Sequence, residues 1–279
     1  MIKSISAASL AVLLAGVASP ALAQSAPDWT GPYIGVYGGA LENNEDAGES
    51  LIFDRDFDGE FDDTVVLSGT TNSAFSPGSC DGAASAQAAG SGCDVDPTGI
   101  EGSIRAGYDM QFGPLVVGLV GELSAVDLED SVTSFSTTPA AYVFTRQVEQ
   151  MAAIRARVGF PVGPALVYAT AGAAKAKVEN SFRTTNTANS FVERVNEDDA
   201  DGYQLGGGVE WRLAPNLSVT GEYLYSNLQP GDYVVRVGPG TAGPTNPFIL
   251  PPNTAGTDMT RSNDGLELHA LRIGMNVRF

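Results

Sequence analysis

Every second residue read back from the end of the chain gives Phe279, Val277, Met275, Ile273 and Leu271, while the interleaved positions hold Arg278, Asn276, Gly274, Arg272 and Ala270. One face of such an extended segment is apolar and the other polar, the two-residue period of a half-buried β-strand. The alternation recurs upstream. Ile100, Gly102, Ile104, Ala106, Tyr108, Met110 and Phe112 interleave with Glu101, Ser103, Arg105, Gly107, Asp109 and Gln111. Gly113-Pro114 then turns the chain, and Leu115, Val117, Leu119, Gly121 and Leu123 interleave with Val116, Gly118, Val120, Glu122 and Ser124.

Two more hairpins follow. Val148, Ala152, Ile154, Ala156, Val158 and Phe160 oppose Glu149, Met151, Arg155 and Arg157. "PVGP" leads into Leu166, Tyr168, Thr170 and Gly172, set against Ala169, Ala173, Lys175 and Lys177. Tyr203, Leu205, Gly207, Val209, Trp211 and Leu213 alternate with Gln204, Gly206, Gly208, Glu210 and Arg212. After Ala214-Pro215-Asn216, Leu217, Val219, Gly221, Tyr223 and Tyr225 alternate with Ser218, Thr220 and Glu222. Residues 31–41 and 266–279 complete a set of eight strands.

The connections decide what kind of object this is. Three short turns, near residues 113, 162 and 215, alternate with four long loops at about 42–99, 129–146, 179–202 and 229–265. Each strand offers roughly 11 to 14 residues, enough for the roughly 9 to 11 that a tilted strand needs to cross a bilayer core. The pattern predicts an all-β protein: an eight-stranded antiparallel up-and-down transmembrane barrel with long extracellular loops and both termini periplasmic. In hydrocarbon every backbone polar group needs an internal partner, so strands span only when closed into a barrel, apolar side chains to lipid and polar ones to the lumen. Phe112, Phe160 and Phe279 then fall in a girdle at the turn end, and Tyr203 and Tyr225 in one near the loops. A secreted lipocalin-like barrel would reverse the faces and leave the charged row solvated.

Composition supports this picture. Glycine is abundant, at 33 residues, and past the N-terminal segment no run approaches eighteen consecutive apolar residues, so a helical anchor is not expected. The first 23 residues, "MIKSISAASLAVLLAGVASPALA", have one early lysine, a short apolar core and small residues before Gln24, and read as a cleaved signal peptide preceding a barrel domain at 24–279. The net charge of −18 excludes a nucleic-acid partner, whose phosphates would repel the chain. Cys80 and Cys93, an even pair in an exported chain, are expected to form a disulfide within the first loop.

"DWTGPYIGVYGGA" near the start, the Gly-rich strands at this spacing and "LRIGMNVRF" at the end resemble outer-membrane β-barrels of the OmpA-like transmembrane superfamily, especially the porin-like surface barrels of alphaproteobacteria. The resemblance covers the mature chain. It implies location in the Gram-negative outer membrane, contact with its lipid and lipopolysaccharide, and a C-terminal Phe279 read by the barrel-assembly machinery.

Three constellations are candidate sites. Asp54, Asp56 and Asp58 at alternate positions, then Gly59, Glu60 and Asp62, reproduce the first half of a calcium loop, but Val65 stands where a bidentate glutamate is needed; the alternatives are a weak Ca²⁺ site and a solvated acidic loop. Arg105, Arg155, Arg157, Lys175 and Arg272 against Glu122, Glu149, Glu210 and Glu222 form a lumen charge cluster. An eight-stranded barrel is only wide enough to be filled by side chains, so these charges are expected to pair in a polar core; a narrow diffusion pore for ions or small solutes is the alternative. His269, the single histidine, falls on the lipid-facing row with no serine partner specified on an adjoining strand. The expected role is therefore non-enzymatic, structural and surface-interacting. "GPGTAGPTNPFILPPNTAG" reads as a flexible, exposed loop.

Overall fold

The computed structural model describes residues 28–43, 48–262 and 265–279. The signal-peptide reading for residues 1–23 lies outside them. Eight long strands carry the alternating segments: β1 (Gly31–Asn43), β2 (Gly99–Phe112), β3 (Leu115–Ser136), β4 (Ala140–Val162), β5 (Ala165–Thr184), β6 (Asp199–Ala214), β7 (Leu217–Pro230) and β8 (Leu266–Arg278). Each pairs antiparallel with its chain neighbours, and β1 pairs with both β2 and β8, for example Ile34 with Ala106 on one side and with Val277 on the other. The ring is therefore closed, which leaves the spanning part no sheet edge.

The short turns have a chemical cause. Gly113 and Gly163 adopt φ +60°, each followed by Pro114 or Pro164, as in a two-residue hairpin whose first central residue must be left-handed and whose second is fixed near −65°. These turns fix register. Val162 pairs with Ala165, so Arg157 pairs with Thr170 and Arg155 with Gly172.

That register corrects the expectation for β5. Directly paired residues share a face, so Tyr168, Thr170, Ala174 and Ala176 point inward, while Lys175 points out. The lysine lies outside the lumen, its side chain 53% exposed and its Nζ 2.7 Å from Asp199 Oδ2. Glu149, also expected inside, sits at a bulge between Val148 and Gln150 and is only half-buried. The extra residue reverses the alternation of β4, so Val148, expected on the lipid row with Ile154, is fully buried.

β3, β4 and β5 run to 22, 23 and 20 residues, well past the band of outward apolar side chains. Their outer halves join a folded head. Four short strands, Ser190–Asn196, Tyr233–Gly238, Thr257–Arg261 and Leu51–Asp54, form a second antiparallel sheet from three of the loops. Phe53, Tyr142, Phe144, Tyr233, Phe248 and Met259 make its apolar core. The loop expected to be flexible and exposed thus contributes buried Phe248 and Ile249, held in a 3₁₀ turn that Asn246 caps through Phe248 N–H. Loop polarity concealed these few aromatic anchors.

Candidate functional site

The interior is layered. At the turn end Trp29, Val116 and Leu166 pack together. Above them lie two ion-pair groups, then an apolar plug that includes Leu41, Leu128, Val148, Leu224, Leu266 and Leu268. The plug was not anticipated: the lumen was expected to be polar, whereas its loop-end part is lined by aliphatic residues on the inward positions of seven strands.

Some of the ion pairs join adjacent strands, as Arg105 does with Glu122 and Arg272 with Glu222, and others bridge strands that are not neighbours. In the lower group Arg157 Nη2 on β4 lies 2.5 Å from Glu210 Oε2 on β6, and Arg278 Nη2 on β8 lies 2.8 Å from Asp109 Oδ2 on β2. Ser218 Oγ donates to the other oxygen of Glu210 at 2.6 Å. In the upper group Arg105 donates to Glu122 at 2.7 Å and to both oxygens of Glu222 at 2.8 and 3.0 Å. Arg272 reaches Glu222 at 2.5 Å, Glu122 at 2.8 Å and Glu101 at 3.3 Å. Arg155 donates to Glu122 at 3.0 Å and to Gln204. Two arginines thus face two carboxylates below, and three face three above, so each layer is neutral. This balance is what burial demands, because an uncompensated charge there costs several kcal/mol.

Aromatic rings complete the lattice. The guanidinium of Arg105 lies 3.9 Å from the Tyr37 ring centroid, and that of Arg157 lies 3.9 Å from Tyr168. Tyr168 Oη donates to Glu222 at 2.5 Å. Room for these rings comes from glycine: a Cβ at Gly274 would strike the Tyr37 ring, and one at Gly107 the Tyr33 ring. Asp109, Arg278 and Glu101 belong to the lattice although the sequence cluster omitted them. Their inward phase could have been read by extending the alternation of Arg105 and Arg272 along β2 and β8.

The acidic loop is ordered by its own carboxylates. Oxygens of Asp54, Asp56 and Asp58 lie within 4.8 Å of one another. Asp54, buried, accepts the amides of Phe57 at 2.6 Å and Gly59 at 3.0 Å. Asp58 accepts that of Glu60 at 2.8 Å. Phe57 stands at φ +66°, and its ring lies under the guanidinium of Arg236. Glu60 and Asp62 are exposed, and their carboxylates lie outside the three-aspartate group. The three clustered aspartates suit a hard cation with most of its shell left to water. Cys80 and Cys93 are disulfide-bonded, with Cα atoms 6.0 Å apart.

A closed ring with Ile34, Ile104, Leu123, Ile154, Ile273 and Met275 turned outward, each about half exposed, has a lipid-facing wall. The sequence matches, over residues 9–279, the family described as outer membrane protein beta-barrel domain. The chain belongs to that family. It is similar to the 31 kDa outer-membrane immunogenic protein of Brucella melitensis, 25% identical over 99% of this chain and 100% of that protein. It is also similar to a 22 kDa outer membrane protein of Rhizobium leguminosarum bv. viciae, 28% identical over 54% of this chain and 64% of that one. Among solved structures it resembles OprG of Pseudomonas aeruginosa, at 12% identity and a TM-score of 0.48, covering 90% of this chain and 97% of that one. This outer-membrane barrel carries Phe112, Phe160, Trp211 and Phe279 outward near its turn end. Toward the loop end its wall carries a polar and aromatic cluster in which His269 Nδ1 lies 2.5 Å from Tyr223 Oη and the His269 ring 5.3 Å from that of Tyr225. Ser262 lies beyond the strand, where its Oγ accepts the amide of Ser50 at 2.9 Å.

Proposed function

We propose that this outer-membrane barrel is a non-enzymatic, non-conducting structural protein that holds a rigid head outside the cell for contact with the envelope and its surroundings. The observation that carries this reading is the filled lumen: two neutral ion-pair layers lie beneath an aliphatic plug, and the folded head covers the loop end. In this reading the short turns and both termini are periplasmic, and Phe279, exposed at the rim, is the assembly signal.

Contact with lipid is part of the proposal. Glu179, Asp199, Asp201 and Glu267 all project outward as exposed groups above the apolar wall. An anionic collar at that level repels phosphorylated lipopolysaccharide unless divalent cations bridge the two, so such cations are proposed to tie the barrel into its leaflet. The Asp54, Asp56 and Asp58 group is proposed to take Ca²⁺ weakly.

Single-channel recording of refolded mature protein in planar bilayers tests the reading, once heat-modifiable migration has established insertion. The expected result is no discrete opening. Stable openings whose ion selectivity changes in Arg105→Gln or Arg155→Gln would replace it with a small diffusion pore.

A further inference from the structure

β3 outruns β2. Their pairing goes from Phe112–Leu115 to Ile100–Asp127, whereas β3 continues to Ser136. Among the described residues, the β2-side edge of β3 beyond Asp127 is taken by a strap from the first loop. Cys80 and Asp81 pair with Thr133 and Val132, and Gly82 N–H donates to Ser131 O at 2.7 Å. Thr133 Oγ1 donates to Gly82 O at 2.8 Å. The next contact is of a different kind: Ser131 N–H donates to a carboxylate oxygen, Asp96 Oδ2, at 2.7 Å. The Cys80–Cys93 disulfide ties the two arms of the strap together.

This carboxylate faces others. Asp96 and Asp81 from the strap, Glu129 from β3 and Glu42 from β1 line one cavity of about 330 Å³, floored by Leu128. The cation nearest in effect, Arg261 of the head sheet, is already held by Glu49 at 2.6 and 2.7 Å and by Asp130 at 2.8 Å. Burial first, then repulsion from Asp81 and Glu129, raises the Asp96 carboxyl to about 6, against the opposing pull of Ser131 N–H and Arg261. Burial pushes Asp81 up as well.

We propose that residues 80–96 form a proton-operated latch on the outer end of β3, closed most firmly when Asp96 is uncharged and loosened when it ionises against Asp81, Glu129 and Glu42. A carboxyl raised in the latched state adds stability that is complete below its ordinary value of 3.8 and is lost as pH rises through about 6. The latch is therefore tight in acid and loose at neutral pH, the reverse of an acid-labile carboxylate salt bridge. From these two values the opening equilibrium grows about tenfold between pH 5 and pH 7.5.

Hydrogen exchange at the Ser131 and Gly82 amides of the folded, full mature chain in nanodiscs, corrected for intrinsic exchange rates, reads that equilibrium directly. The expected result is about tenfold greater opening at pH 7.5 than at pH 5, abolished in Asp96→Asn, which keeps the shape of the neutral acid. In Glu129→Gln the pH at which opening rises shifts downward. Opening that changes less than twofold over this range in the wild type, or that keeps its pH dependence in Asp96→Asn, overturns the proposal. Amides of the β2–β3 pairing, such as that of Leu123, serve as internal controls and are expected to show no change.

Discussion

Arg105 on β2 and Glu222 on β7 never meet through the backbone, since β1 and β8 stand between their strands, yet their side chains form two parallel hydrogen bonds of 2.8 and 3.0 Å across the lumen. Cross-barrel pairs of this kind hold opposite walls at a fixed separation. They add a constraint that neighbour-to-neighbour ladders do not supply.

Removing one member should therefore cost far more than a surface pair. Glu222→Ala strands Arg105 and Arg272 in a buried layer and is expected to destabilise the folded barrel by about 3–5 kcal/mol. Urea titration followed by the heat-modifiable gel shift measures it. A loss below about 1 kcal/mol, the range of exposed pairs, would show that water reaches the layer.

The tyrosine sites depend on absent side chains. Gly274→Val would drive a branched side chain into the Tyr37 ring, which lies against Arg105, and overpacking of this kind costs about 1–3 kcal/mol. The same substitution at Gly221, where nothing stands within 4 Å of a Cβ, is the control. Equal effects at both positions would count against the packed lumen.

Arg261 joins the head to the barrel. It is 3% exposed and grips Glu49 with two nitrogens and Asp130 with its side chain and backbone contacts. Burial opposes its charge, but Glu49 and Asp130 outweigh that and raise its already high pKa. Arg261→Ala should open the head, with loop cleavage by trypsin at much lower protease concentration, while the barrel keeps its heat-modifiable shift. Loss of the barrel shift as well would mean that head and barrel unfold as one unit.

The disulfide acts on the same strap from the other side. Converting Cys80 and Cys93 to serine together removes the cross-link and is expected to release the loop by about 3 kcal/mol, seen as lost amide protection at Gly82 and Thr133. Barrel unfolding should not move. Calorimetric titration with Ca²⁺ examines Asp54, Asp56 and Asp58 of the first loop: a Kd of about 10⁻⁴ to 10⁻³ M, lost in Asp54→Asn/Asp56→Asn, is expected for a water-rich shell of three carboxylates.

Strand number, hairpin positions and the lipid-facing wall were legible in the sequence because in most strands the charges fall in one row of the two-residue period, and only the other row can face hydrocarbon. Arg105, Glu122, Glu210 and Glu222 were placed from that period alone. Lys175 and Glu149 were not, because a period says which residues share a face without saying which face it is. Pairing through Gly163-Pro164 decided that for Lys175, and a one-residue bulge decided it for Val148. The aliphatic plug, the neutral division of the charges into two layers and the shared core of the head join residues from distant strands and loops. Only closure of the ring brings those residues together, and so only the tertiary structure could decide how the lumen is filled.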